Sequence, residues 1–94
     1  MKQILDILRG FRSRGLDLTA CLVAATLREG PLTAKDIEEA VKPASYDAVI
    51  RRLGLLQKLA LVERYHPEDG DRRQPLYRLT RKGAQLLNPE PAAA

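Results

Sequence analysis

Residues 30–64 read GPLTAKDIEEAVKPASYDAVIRRLGLLQKLALVER, and the fold turns on how this stretch divides. Gly30–Pro31 stops the helix that precedes it. Thr33 then starts another. Its hydroxyl suits an N-cap, Asp36 stands where a capping box has its Glu or Gln, and Leu32 and Ile37 flank the cap as a hydrophobic staple. Ile37, Ala40 and Val41 supply the buried side. Pro43 ends this helix, because the residue before a proline avoids the helical region. The next helix is expected from Ala44 or Ser45 to Leu59. Val49, Leu53, Leu56 and Ala60 share one face, with Tyr46 and Ile50 at its edge. Ser45, Ala48, Arg51, Arg52 and Leu55 fall on the opposite face. Gly54 weakens the helix by roughly 0.8–1 kcal/mol against alanine. Only Lys42–Pro43–Ala44 separates the two helices, too little for a crossover between parallel strands. Two helices joined so tightly make a helix-turn-helix.

Outward from this motif the pattern changes. Leu61 to His66 and Pro75 to Thr80 read as two short strands, separated by the turn-rich Pro67–Glu68–Asp69–Gly70–Asp71. That is an antiparallel hairpin directly after the second helix, the position of a wing. Thr80 caps a last short helix through Leu87. Upstream, Asp17 is the expected N-cap of a helix from Leu18 to Glu29, with Leu18, Cys21, Leu22, Ala25 and Leu27 on a broad apolar face. Residues 2–13 carry Ile4, Leu8 and Phe11 on one helical stripe, with Leu5 alongside. The predicted fold is mainly α with a small β-hairpin: a three-helix core plus wing, with an extra N-terminal helix. Residues 1–15 form that amphipathic helix, 16–87 the main domain, and 88–94 a frayed tail.

Composition limits what such a fold does. Ninety-four residues make one domain with little space for a deep substrate pocket. The longest apolar run, Ala20 to Ala25, is far short of the roughly 18–20 residues that cross a bilayer, and Asp6 and Arg9 interrupt any secretory leader. No membrane partner is therefore expected. The lone Cys21 excludes an intrachain disulfide and fits a reducing, cytoplasmic setting. His66 and Cys21 lie in different elements, so no metal site is expected within one chain. No catalytic triad, paired carboxylates or phosphate-binding glycine loop appears, which argues against an enzyme and against a bound cofactor. The net charge of +4 is uneven. Residues 44–82 hold nine basic and five acidic side chains, against seven and six in residues 1–43. The excess lies on the second helix of the motif and the hairpin, which points to a polyanionic partner.

Three stretches together carry a resemblance. Gly30–Pro31–Leu32–Thr33–Ala34–Lys35–Asp36–Ile37 opens the motif, Leu56–Gln57–Lys58–Leu59–Ala60–Leu61–Val62–Glu63–Arg64 leaves its second helix, and Asp69–Gly70–Asp71–Arg72–Arg73 precedes Tyr77–Arg78–Leu79–Thr80–Arg81–Lys82–Gly83. In this order they resemble the winged helix-turn-helix domains of MarR, PadR and ArsR-like transcription regulators. Two positions depart from that pattern: Ala60 stands where the family has glycine at the helix end, and Leu55 lies on the groove-facing side.

The resemblance implies a small regulator that binds double-stranded DNA sequence-specifically. The recognition helix, about 44–59, would enter the major groove, and the wing, 65–76, would lie on the backbone or in the minor groove. It implies base-reading or phosphate-gripping roles for Ser45, Ala48, Arg51 and Arg52, wing contacts for Arg72 and Arg73, and phosphate contacts for Lys58, Arg64, Arg78 and Lys82. It also implies a homodimer, with Ile4, Leu5, Leu8 and Phe11 as the pairing element; packing onto their own domain is the other reading of the same stripe. No small-molecule ligand is expected. The alternative function is a winged-helix protein–protein interaction module without DNA binding, to which exposed Leu55 would belong.

Overall fold

A computed structural model describes residues 2–67 and 74–88. Five helices and three strands follow in the order α1 (Lys2–Arg12), α2 (Leu18–Thr26), β1 (Leu32–Thr33), α3 (Ala34–Ala40), α4 (Tyr46–Lys58), β2 (Val62–Tyr65), β3 (Leu76–Leu79) and α5 (Arg81–Leu87). The wing-tip residues Asp69, Asp71, Arg72 and Arg73 lie outside the described residues, as does the tail from residue 89.

Local hydrogen bonds set where the helices start. Asp17, Thr33, Ser45 and Thr80 all have extended backbone, and the side chain of each accepts a bond from the amide three residues on, at Ala20, Asp36, Ala48 and Gly83. The ends are less local. α2 stops at Thr26, short of the expected Glu29. The Thr26 hydroxyl donates to the Val23 carbonyl at 2.6 Å, Leu27 turns into the core, and Gly30 takes φ +149° to lead into β1. α3 likewise stops at Ala40, and buried Val41 serves as its C-cap rather than continuing it.

The sheet has three antiparallel strands in the order β1-β3-β2, one more than the predicted hairpin. Leu32 pairs with Tyr77 and Thr33 with Leu76 on one side of β3. Val62 pairs with Leu79 and Tyr65 with Leu76 on the other. Strand alternation puts Val62 and Tyr77 on the buried face, and Glu63, Tyr65 and Arg78 on the outer one.

A single core joins all the helices. Phe11, Val23, Ile37, Val49, Leu53, Leu56 and Leu61 are almost fully enclosed, and each such side chain contributes roughly 1.5–3 kcal/mol of burial. α1 packs on α2 and α5 through Phe11, with Ile7 and Leu8 partly buried beside it. The expected pairing stripe is thereby divided. Phe11, 1% exposed, belongs to the core of its own chain and is closed to a second one, whereas Ile4 and Leu5 are 60% and 53% exposed.

The link that follows α4 and the start of α5 meet at a tight junction. Ala60 takes φ +61°, the left-handed conformation for which glycine is the cheaper residue. The Thr80 hydroxyl donates to the Ala60 carbonyl at 2.6 Å and accepts from the Gly83 amide at 3.1 Å. Gly83 lies so close to Leu61 that a β-carbon there would sit 2.0 Å from the Leu61 carbonyl oxygen.

Candidate nucleic-acid interface

α4 owes its position to Val49, Leu53 and Leu56, which fasten one side of it to the core. The opposite side faces solvent. Along it run Asp47, Arg51, Gly54 and Lys58, all exposed, with Ile50 and Leu55 on the two flanks at 38% and 43% exposure. Leu55 is thus as open as the sequence pattern predicts.

The predicted contact residues fall into distinct settings. Ser45 is exposed and caps α4, its Oγ accepting from the Ala48 amide at 3.1 Å. A hydroxyl that accepts a bond still has a proton to donate. Ala48 is half-buried. Arg51 stands free of ion pairs among the described residues and points outward from the middle of the helix. Arg52, one residue on, is turned about 100° away. Its Nη2 donates to Asp17 Oδ2 at 2.6 Å and its Nε to Asp17 Oδ1 at 3.4 Å. That pairing holds the Asp17 carboxyl below its ordinary range, helped by the Ala20 amide, and raises the pKa of Arg52.

Lys58 closes the last turn of α4, where a cation also suits the helix dipole. Arg64 is exposed on β2, level with Tyr77. Arg78 is engaged on the outer sheet face. Its Nε donates to the Glu63 carboxylate, and its guanidinium lies over the Tyr65 ring, 4.3 Å from the centroid. Lys82, at the start of α5, donates to the Leu59 carbonyl at 3.3 Å. Arg51, Lys58 and Arg64 are therefore the free cations of the described surface among the predicted contacts, while Arg52 and Arg78 have partners within the chain.

The sequence reading missed Asp47. It stands one turn before Arg51 on the outermost line of α4, and the signal that finds it is simple helical spacing from Arg51. Other chemistry is sparse. Cys21 is buried, and burial pushes its thiol pKa up. Among the described residues no group of three or more His, Cys, Asp or Glu could hold a metal ion, and no helix is long and apolar enough to cross a membrane. Between α1 and α2 lies a groove of about 530 Å³ lined by Leu5, Leu8, Arg9, Phe11, Arg12, Asp17 and Leu18.

A tight α3–α4 pair, packed on α2 and followed by a β2–β3 hairpin, defines a winged helix-turn-helix domain. Solved structures share this fold. YusO from Bacillus subtilis superposes with a TM-score of 0.74 at 25% identity, covering 93% of this chain and 61% of that one. A mutant of ZitR from Lactococcus lactis gives 0.72 at 28% identity, covering 79% and 49%. A MarR mutant from E. coli in complex with operator DNA gives 0.72 at 22% identity, covering 94% and 62%. The chain thus spans about half to three-fifths of the length of these proteins. No family model matches the sequence, and no curated protein matches it.

Proposed function

We propose that the chain is a small transcriptional regulator that binds double-stranded DNA sequence-specifically, with α4 in the major groove. The observation that carries this reading is the outer side of α4. It presents Arg51 and Lys58, exposed and without an ion-pair partner among the described residues, on a helix whose other side is locked into the core. An α-helix fits the major groove, and arginine is the residue best shaped to take guanine O6 and N7 together. The similarity in fold to a MarR structure holding operator DNA supports it.

Within this reading Arg51 is the main base contact, Ser45 a donor at the N-terminus of the same helix, and Ala48 a flanking methyl. Lys58 and Arg64 neutralise phosphates. Arg72 and Arg73 extend the contact from the wing, 65–76, onto the backbone or into the minor groove. Arg52 and Arg78, already ion-paired, act by holding α4 and the sheet in place. The protein works as a homodimer, which doubles the footprint of one short helix on a palindromic site. Ile4 and Leu5, exposed beside the α1–α2 groove, are the pairing residues. No catalytic role is part of the proposal.

A gel-shift titration of the full chain with duplex DNA over a salt series tests it. Affinity should fall steeply with salt, because phosphate contacts release counterions. Arg51→Ala should remove specific binding. A folded protein that ignores DNA, or binds it without regard to salt, points instead to the protein-interaction alternative.

A further inference from the structure

Along α4, Asp47, Arg51, Gly54 and Lys58 are spaced by four, three and four residues, so they form one straight strip. All four are exposed, and the strip runs opposite buried Val49, Leu53 and Leu56. Two features of it are not accounted for by side-chain contacts among the described residues.

The first is Gly54. It sits in the helix interior, where glycine is unfavourable. Its φ is not in the left-handed region, and a β-carbon added to it would meet, beyond its chain neighbours and the helix's own backbone, no atom of the described residues within 4 Å. Neither backbone conformation nor packing asks for glycine. What it provides is a bare stretch of helix surface, three residues past Arg51, open to close approach along the backbone.

The second is Asp47. A carboxylate on a surface that meets a polyanion opposes binding to every sequence alike. For DNA binding it is useful there only if some base rewards it. A carboxylate is acceptor-only, so it seeks a donor without an acceptor beside it. In the major groove the cytosine amino group offers that, whereas adenine places N7 next to its amino group. Among the described residues Asp47 has no ion pair and no side-chain hydrogen bond.

We propose that Asp47 is a specificity-determining residue, accepting from a cytosine amino group one or two base steps from the guanine read by Arg51, with Gly54 letting α4 seat closely enough for both. The assignment rests on the DNA-binding reading above. Asp47 also suits the first turn of a helix electrostatically, so stability alone does not test it.

The experiment uses the full chain. Duplexes are selected from a random pool with wild type, Asp47→Asn and Asp47→Ala. Affinities for the best wild-type duplex and for a random-sequence duplex are measured at one salt concentration, alongside Tm. Asp47→Asn should change the selected base at one position from cytosine to adenine, since asparagine pairs with adenine N6 and N7. Asp47→Ala should tighten binding to the random duplex while its selective ratio falls about ten-fold or more. Gly54→Ala should raise Tm, alanine being the better helix former, yet weaken binding to the selected duplex several-fold. An unchanged base preference in Asp47→Asn, or an unchanged selective ratio in Asp47→Ala, overturns the assignment of Asp47 while leaving wild-type DNA binding intact. Undiminished binding by Gly54→Ala overturns the close seating. Wild type that binds no duplex overturns this inference and the DNA-binding reading together.

Discussion

Arg52 Nη2 donates to Asp17 Oδ2 at 2.6 Å, tying the middle of α4 to the residue that caps α2. The other oxygen of the same carboxylate accepts from the Ala20 amide at 2.9 Å. One side chain thus caps α2 and pairs with α4, and it engages Arg52 while the neighbouring Arg51 is left facing solvent.

Loss of either partner should therefore cost different amounts. Arg52→Ala removes a half-exposed ion pair, worth about 0.5–1 kcal/mol. Asp17→Ala removes the cap as well and should cost about 1–2 kcal/mol. Chemical denaturation of the two single variants and the double variant gives the coupling. If the effects simply add, the contact contributes nothing to the fold.

The same pair sets a pH dependence. Arg52 first, then the Ala20 amide, hold the Asp17 carboxyl below its ordinary value of 3.8. A depressed folded value means that ionised Asp17 stabilises the fold above the ordinary carboxylate range, and that this stabilisation fades as pH falls through the lowered value. Asp17→Asn keeps a good cap but loses the charge. Its deficit against wild type should be full near about pH 6 and should shrink as pH falls through the lowered value. A deficit that stays constant across that range would show that the charge is immaterial.

Gly83→Ala should be severe. The new methyl would lie 2.0 Å from the Leu61 carbonyl oxygen and 2.9 Å from its carbonyl carbon, and backbone at a sheet–helix junction has little freedom to retreat. A loss on the order of 3 kcal/mol or more is expected. Gly10→Ala is the control. Its methyl meets the Leu86 Cδ1 at 2.8 Å, the far end of a flexible side chain, so Tm should fall much less. Equal Tm losses in the two would contradict the close approach of Gly83.

These sites differ in how far the sequence reveals them. The caps at Asp17, Thr33 and Thr80 were legible because an N-cap is decided within three residues; that of α4 was not, because Ala44 and Ser45 were equal candidates for its start. Ala60 was legible as a place where glycine would serve better, and its φ of +61° bears that out. β1 was not, because two residues carry no periodicity and Thr33 was already spoken for as a cap. The partner of Arg52 lies 35 residues away, so spacing within α4 placed Arg51 and Arg52 together although the fold separates their tasks. Asp47 was not legible as a contact, because an acid in the first turn of a helix is already accounted for by the helix dipole.

Ala60→Gly should stabilise the fold. Left-handed backbone costs an L-residue roughly 1–2 kcal/mol, and glycine returns part of that through its freer unfolded state. A net gain of about 0.5–1 kcal/mol is expected in denaturant titration. A loss would mean that the alanine methyl contributes packing that outweighs the strain.

The N-terminal helix separates self-association from folding. Phe11 is 1% exposed within its own domain, so Phe11→Ala should cost about 3–5 kcal/mol wherever the chain is monomeric or dimeric. Ile4 and Leu5 are 60% and 53% exposed, and a charge at either meets solvent in a lone chain. The double variant Ile4→Glu, Leu5→Glu should keep the wild-type Tm measured at low concentration. Light scattering across a concentration series should find wild type as a dimer and the double variant as a monomer. A double variant that still pairs at the same concentrations would remove α1 from the interface and leave its role as a brace between α2 and α5.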